Sequence, residues 1–442
     1  MFHSLDFVKR SAAATVIGSS LLLASPWPAL ATTIERVISP GGIEAWLVED
    51  QTLPIIAVNF AFDNGSAQDP AGKEGVTNLM AASLNEGAGD MDAAAYQARM
   101  EELAISVGFS AGGDQTFGSL RTLANTRDEA FEMLRLAVNE PRFDADAVER
   151  MRSQILVGLK QAEEDPDAVA SRAFMEAAFP GHPYSRPTDG TIASVTALTP
   201  ADLEAQRARL FTREGLVIGV VGAIDARTLA PLLDSVFGKL AEKSTLPAIP
   251  DVVARTGERI SRTMDVPQTT ILLGLPALKR DDKDYQAAFV MDHILGGGSF
   301  TSWLYEEVRE KRGLSYGVGT DLSPSAHTGL LFASAATRAD KANETLEIIL
   351  AQFRRMAEEG PSAEELAKAK AFLTGSYALR FDTSGKIASQ LVALQTARLG
   401  IDYFDRRNAE IEAVTLEDVR RVAKRLLENQ TPLVVTVGPA AS

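Results

Sequence analysis

The sequence predicts an α+β protein built from two similar halves in tandem, each a mainly antiparallel sheet with helices packed on it, the two forming a clam-like chamber. Three observations lead there. Strand-like segments come in groups and are followed by groups of long helices, the order that gives antiparallel sheets covered by helices. The same order then returns after a segment containing Lys243, Ser244, Pro247 and Pro250. Finally, identities recur 211 residues apart: Val107-Gly108 with Val318-Gly319, Gly118 with Gly329, and Ala124 and Thr126-Arg127 with Ala335 and Thr337-Arg338. Self-similarity at a fixed spacing is the mark of an internal duplication.

The chain opens on an expected secretory leader. Lys9 and Arg10 precede an apolar run from Ala12 to Ala24, and Ala29-Leu30-Ala31 has the small-x-small form of a signal-peptidase site, so residues 1–31 are assigned to a signal peptide. The apolar run is too short to span a bilayer and ends at Pro26 and Pro28, which makes a retained anchor the weaker alternative. The expected location is the periplasm, with no membrane association after leader removal. Loss of Lys9, Arg10 and Asp6 takes the formal charge from -15 to -16 on the remaining 411 residues. So acidic a surface is a poor partner for nucleic acid or anionic lipid. The chain has no cysteine, so no disulfide supports it and stability must come from buried core.

The N-terminal half is expected over residues 32–240. Ile34–Val37 and Ile43–Val48 flank Pro40-Gly41-Gly42 as a hairpin, and Ile55–Phe62 reads as a third strand. A helix runs from about Gly75 and another covers Met91–Leu103. Strands at Ile105–Ala111 and Phe117–Leu123 lead to helices Arg127–Val138, Asp144–Glu164 and Asp167–Phe179. Helix Pro200–Leu210 and buried strand Leu216–Val221 close this half. A linker is expected over 241–256. The C-terminal half, 257–442, places strands at Thr270–Leu275, Leu314–Gly319, Gly329–Ala335 and Pro432–Val437. Its helices are Tyr285–Leu295, Thr301–Lys311, Asp340–Glu359, Ser362–Tyr377, Ser384–Leu399 and Leu416–Leu427.

The stretch GGGSFTSWLYEEVREKRGLSYGVG, Gly296 to Gly319, carries the chemistry. Phe300, Leu304 and Val308, four apart, predict a helix with one buried stripe, stopped by Gly313. Alternation from Leu314 predicts a strand, placing Arg309 near the helix end and Tyr316 on the strand. Two readings are open. The guanidinium and the phenol converge on one polar group such as a peptide carbonyl or carboxylate, or Arg309 caps the helix while Tyr316 packs in the core with its hydroxyl satisfied.

This stretch, with Gly181-His182-Pro183-Tyr184, Arg186-Pro187, Gly190 and Val220-Val221-Gly222-Ala223-Ile224-Asp225, resembles the pitrilysin family. That family includes insulysin, the mitochondrial processing peptidase and bacterial relatives. The motifs cover nearly the whole mature chain. Active members carry an inverted zinc motif, H-x-x-E-H, on a helix early in the first half, with a further glutamate downstream. Two imidazoles on one helical face hold the metal and the intervening glutamate takes the proton of the bound water. Here Asn78 and Ala82 stand at the histidine positions, Ala81 at the base and Gly158 at the distal ligand.

The chain has four histidines, His3, His182, His293 and His327, with no pair at helical spacing, so it is expected to bind no zinc of its own. His182 and His293 read as locally hydrogen-bonded structural residues. Gly296-Gly297-Gly298 lacks the lysine and hydroxyl of a phosphate loop, and Glu163-Glu164-Asp165 reads as a solvated helix end. Serines such as Ser106 and Ser110 lack an activating histidine.

In the resembled family an arginine and a tyrosine of the second half complete the active site, binding substrate backbone and stabilising the oxyanion; Arg309 and Tyr316 match them in type and spacing. The resemblance implies the non-catalytic subunit of a heterodimeric zinc peptidase, with zinc held by a homologous H-x-x-E-H partner and peptides as substrates. The competing expectation is a peptide-binding or scaffolding homodimer without hydrolase activity, holding extended peptides on a sheet edge.

Overall fold

The computed structural model describes residues 33–440, so the expected leader at 1–31 lies outside the described residues. Strands β1 (Glu35–Ile38) and β2 (Glu44–Glu49) form the first hairpin, turning through Gly42 at φ +83°. There follow β3 (Ile55–Phe62), α1 (Val76–Ser83), the short pair β4 (Gly87–Ala88) and β5 (Met91–Asp92), α2 (Ala93–Glu102), β6 (Ser106–Ala111) and β7 (Thr116–Leu123). Then come α3 (Arg127–Asn139), α4 (Ala145–Glu163), α5 (Pro166–Ala178), α6 (Ile192–Ala197), α7 (Pro200–Leu210), β8 (Val217–Gly222) and α8 (Ala226–Phe237). The second set is β9 (Arg259–Thr263), β10 (Gln268–Pro276), α9 (Tyr285–Asp292), β11 (Val318–Pro324), β12 (Gly329–Arg338), α10 (Ala342–Glu358) and α11 (Ala363–Gly375). It ends with α12 (Ser384–Thr396), α13 (Tyr403–Ala413), α14 (Leu416–Leu427) and β13 (Leu433–Gly438).

Two sheets carry the fold. The first has the order β1-β2-β8-β3-β7-β6 and the second β9-β13-β10-β12-β11, so that without β1 the two match strand for strand. Each is antiparallel except for one parallel pair, β2 with β8 and β9 with β13. One face of the first sheet, with Ile56, Val58, Phe60, Ile218 and Val220, packs on the helices of its own half. The second sheet does the same with Ile271, Leu273 and Leu331.

The opposite faces are covered by exchange. Helix α5, from the first half, lies on β10 and β13 of the second sheet, where Phe174 and Phe179 join Leu433, Val435 and Val437. Helix α12, from the second half, lies on β3 and β8 of the first, where Leu391 and Leu394 meet Trp46, Val48, Ala57 and Val221. Close approach depends on glycine: a Cβ on Gly219 would come 2.6 Å from the Ala388 carbonyl oxygen, and one on Gly274 2.4 Å from Phe174 Cζ. Helices therefore cover both faces of each sheet.

Three local expectations are corrected. Val107 faces Leu120, thirteen residues on, whereas Val318 faces Ala335, seventeen on. The β11–β12 hairpin is longer by four residues, so the 211-residue spacing holds for the Val-Gly pairs only. The single turns before α3 and α10, Ala124–Thr126 and Ala339–Lys341, lie 215 apart. Second, the helix expected at Thr301–Lys311 is a 3₁₀ turn, Ser299–Thr301, and a π-helical segment, Tyr305–Glu310. Leu304 and Val308 are buried, but Phe300 is 74% exposed and outside the stripe. Third, no strand starts at Leu314. Its N–H donates to the Val308 carbonyl, closing the turn, and β11 begins at Val318, so Tyr316 lies in a loop. Among the described residues, no helix is long and apolar enough to cross a membrane.

Candidate functional site

Asn78, Ala81 and Ala82 all fall on α1, and Gly158 falls on α4, which packs against α1. The structure thus gathers the four positions on neighbouring helices of the first half. Their side chains offer no imidazole, thiolate or carboxylate, and a Cβ on Gly158 would meet nothing within 4 Å. The donor set does not fit zinc, and no group of three or more potential metal ligands occurs among the described residues.

The start of α1 is nonetheless firmly built. Asp69, almost fully buried, accepts from the Gly75 N–H at 2.8 Å, from the Thr77 hydroxyl, and from Gln206 Nε2 at 3.2 Å. Burial pushes the Asp69 carboxyl up to about 6 despite these donors. Arg186 clamps the preceding loop by donating to the Asp69 and Ala67 carbonyls at 2.6 and 2.8 Å. Gly190, at φ +82°, leaves room for the Glu74 carbonyl oxygen, 2.3 Å from where a Cβ would stand. The motif around His182 and Arg186 is therefore scaffolding for α1.

The histidines have separate jobs. His182 Nδ1 accepts from the Tyr184 N–H at 3.2 Å and its Nε2 donates to the Pro250 carbonyl at 3.0 Å, so both ring nitrogens are spent. The Tyr184 hydroxyl donates to Asp114 Oδ1 at 2.7 Å and accepts from the His327 N–H at 3.2 Å, which ties the tips of the β6–β7 and β11–β12 hairpins together. His293 departs from expectation. Its ring makes no hydrogen bond among the described residues; it stacks on Phe372 at 5.1 Å, and burial lowers its proton affinity. Asp165 caps α5 by accepting from Asp167 and Ala168 N–H groups, as a helix terminus would.

In the second half, Arg309 and Tyr316 are brought together. The triple glycine allows a wide turn: Gly298 N–H donates back to the His293 carbonyl at 2.8 Å, and a Cβ on Gly296 would sit 2.5 Å from the Thr320 backbone nitrogen. Lys311 N–H donates to the Glu306 carbonyl, the wide hydrogen bonding of a π-helix, a form common at functional sites. Gly313 then reverses the chain at φ +61°. The result stacks Arg309 Cζ 4.2 Å from the centre of the Tyr316 ring, 4.7 Å from that of Tyr305 and 6.0 Å from that of Phe300.

Neither structural role foreseen for the pair applies. Tyr316 is 83% exposed, and the Arg309 guanidinium makes no hydrogen bond among the described residues, its nearest carboxylate being Glu310 at 3.9 Å. Aromatic faces orient the guanidinium while its N–H donors stay unspent, and the exposed Tyr316 ring lies against it. Such a pair can donate to a carbonyl, a carboxylate or a developing oxyanion. Phe300 and Tyr305 complete the cradle and escaped the sequence reading, because Phe300 matched a helical stripe. The signal available was the clustering of four aromatic residues, Phe300, Trp303, Tyr305 and Tyr316, within nine positions of Arg309, three of which face it.

Known proteins share this architecture. The model described as Insulinase (Peptidase family M16) matches residues 46–192, and the one described as Peptidase M16 inactive domain matches residues 197–373. An uncharacterized zinc protease of Mycobacterium leprae is 30% identical over 322 residues, 71% of each chain. The non-peptidase homolog YmxG of Helicobacter pylori is 28% identical over 343 residues, 76% of this chain and 78% of that one. A crystal structure described as a peptidase M16 inactive domain, from Pseudomonas fluorescens, superposes with a TM-score of 0.87 at 29% identity, covering 93% of this chain and 99% of the other.

Proposed function

This chain belongs to peptidase family M16 as a non-catalytic member, and on that premise we propose that it is one subunit of a periplasmic heterodimeric zinc peptidase, supplying Arg309 and Tyr316 to a partner that carries H-x-x-E-H. The observation that supports this most is the posture of the pair: an arginine stacked on rings, with no hydrogen bond spent among the described residues and only a long 3.9 Å contact to Glu310, next to an 83% exposed tyrosine. Donors left unspent within the chain are free to meet a polar group brought by a substrate. Here the polar group they suit is supplied from outside the chain.

The division of labour follows from the side chains. Zinc and the water-activating glutamate belong to the partner, since positions 78, 81, 82 and 158 hold Asn, Ala, Ala and Gly. Arg309 holds the substrate backbone or its carboxylate end, and the Tyr316 hydroxyl donates to the oxyanion that forms at the scissile carbonyl. Peptides are the substrate class. The leader expected at residues 1–31 supports a periplasmic location for this subunit and for the complex it would form.

The test is reconstitution. The purified chain alone is expected to hydrolyse no peptide, and mixing it with the H-x-x-E-H partner to give zinc-dependent hydrolysis. Arg309→Ala or Tyr316→Phe should each lower kcat about 10²- to 10³-fold while gel filtration still shows the complex. Zinc-dependent hydrolysis by the isolated chain would overturn the assignment. Full turnover in both variants would return the pair to a structural role.

A further inference from the structure

A cavity of about 1070 Å³ lies between the two halves. Four arginines line it, Arg280, Arg380, Arg398 and Arg407, and none has a carboxylate within ion-pair distance among the described residues. In a chain with 59 acidic residues against 44 lysines and arginines, carboxylates were plentiful. Rings and neutral oxygens hold the inner two instead. Arg407, 5% exposed, stacks 4.0 Å from the Tyr377 ring centre and donates to the Leu373 carbonyl at 3.0 Å. Arg280 sits 4.1 Å over Tyr285 and donates to the Tyr403 hydroxyl at 2.6 Å.

This arrangement brings three guanidinium groups, those of Arg280, Arg380 and Arg407, together without an ion pair to any of them among the described residues. Burial works against the charged form of Arg407, and Arg280 and Arg380 repel it further. Two buried hydroxyl oxygens on the same wall, Tyr377 Oη and Thr396 Oγ1, find no hydrogen-bond partner, and Tyr377 is only 7% exposed. The lining also holds five acids: Asp114 accepts from the Tyr184 hydroxyl, Asp251 pairs with Lys279, Asp63 accepts from Gln115 and attracts Arg398, Glu214 accepts from the Ser244 N–H, and Asp281 is the fifth. A buried guanidinium facing two others beside an orphan hydroxyl is costly unless a ligand of opposite charge completes the group.

We propose that the cavity between the halves is a binding site for a small polyvalent anion bearing carboxylate or phosphate groups, held by Arg280, Arg380 and Arg407 with the Tyr377 hydroxyl as a neutral partner. Guanidinium groups match both anion types through paired N–H donors. The volume is at the upper end of the roughly 300–1000 Å³ of small-molecule pockets, so the ligand is larger than a single phosphate ion. The site uses neither Arg309 nor Tyr316 and stands independently of the peptidase reading.

Calorimetric titration of the full mature chain with citrate and, separately, with inorganic pyrophosphate, at about 0.15 M salt to screen non-specific attraction, tests this. Saturable binding of at least one anion is expected, weakened about tenfold by Arg380→Gln and several-fold by Tyr377→Phe. Both variants are chosen to fold, since Arg380 is exposed and the Tyr377 hydroxyl has no partner to lose. Binding of citrate alone assigns carboxylates, of pyrophosphate alone phosphates, and of both a site that reads charge. Absence of saturable binding by either anion, or affinity unchanged in both variants, would overturn the proposal.

Discussion

Asp292 sits 6% exposed at the end of α9, and its Oδ1 has no hydrogen-bond partner among the described residues. Its Oδ2 lies where Gly297 leaves room, 2.5 Å from the place a Cβ would take. Burial pushes this carboxyl from its ordinary 3.8 to about 6, with Asp321 adding repulsion and Thr320 offsetting part of it. Because the folded protein holds this proton more tightly than the unfolded chain, the group's contribution is greatest below pH 3.8 and is lost as pH rises to about 6. Asp292→Asn keeps the shape and removes the charge. The variant should match the parent below pH 4 and exceed it by roughly 1–3 kcal/mol at pH 8, read by urea unfolding at the two pH values. A difference independent of pH would show that the ionised carboxylate is satisfied after all. At this scale the sequence was most legible where chemistry was missing: Asn78, Ala81, Ala82 and Gly158 need no coordinates to fail as ligands. The pairing of Arg309 with Tyr316 was legible too, but their exposure was not, since spacing cannot tell a capped helix end from an open cradle.

Helices α7 and α14 start where the sequence placed them, and the reason is a cap. Thr199 and Thr415 each accept from the N–H three residues on, and Asp202 and Asp418 reach back to the threonine N–H, closing a capping box in both halves. Asp418 is held down to about 2 by Thr415 and Arg421. Thr199→Ala and Thr415→Ala should each cost about 1 kcal/mol, and the double variant about 2, because the two caps share no partner. Urea midpoints of the three variants check this, and a double variant no weaker than the singles would mean the caps are coupled. The Tyr305–Glu310 segment shows the opposite case. Wide i→i+5 hydrogen bonds leave no periodic trace distinct from a helix, and Leu314, Tyr316 and Val318 alternate like a strand by coincidence. The turn that presents Arg309 and Tyr316 was therefore hidden at the level where elements are read.

Strand β8 reads VIGVVG and is buried at nearly every position, which marks a strand covered on both faces. What the sequence did not say is that the second cover comes from the other half. The apolar faces of α5 and α12 are ordinary amphipathic stripes, and only the glycines at 219 and 274 hint that something approaches the strands closely. The exchange has a mechanical consequence. Each half carries a helix whose apolar side is completed only by the other's sheet, so the halves should remain bound when the covalent connection is cut. A protease site placed between Lys243 and Ser244 provides the cut, in a segment outside helices and strands. The nicked fragments are expected to co-elute in gel filtration and to unfold in one calorimetric transition. Phe174, 1% exposed and packed on Gly274 and Phe332, anchors one exchanged helix. Phe174→Ala should cost about 3–5 kcal/mol and, in the nicked protein, let the fragments separate. Fragments that part without the substitution would show that the covalent link, and not the exchange, joins the halves. Fragments that stay together with it would place the anchor on α12, where Leu391 and Leu394 remain packed.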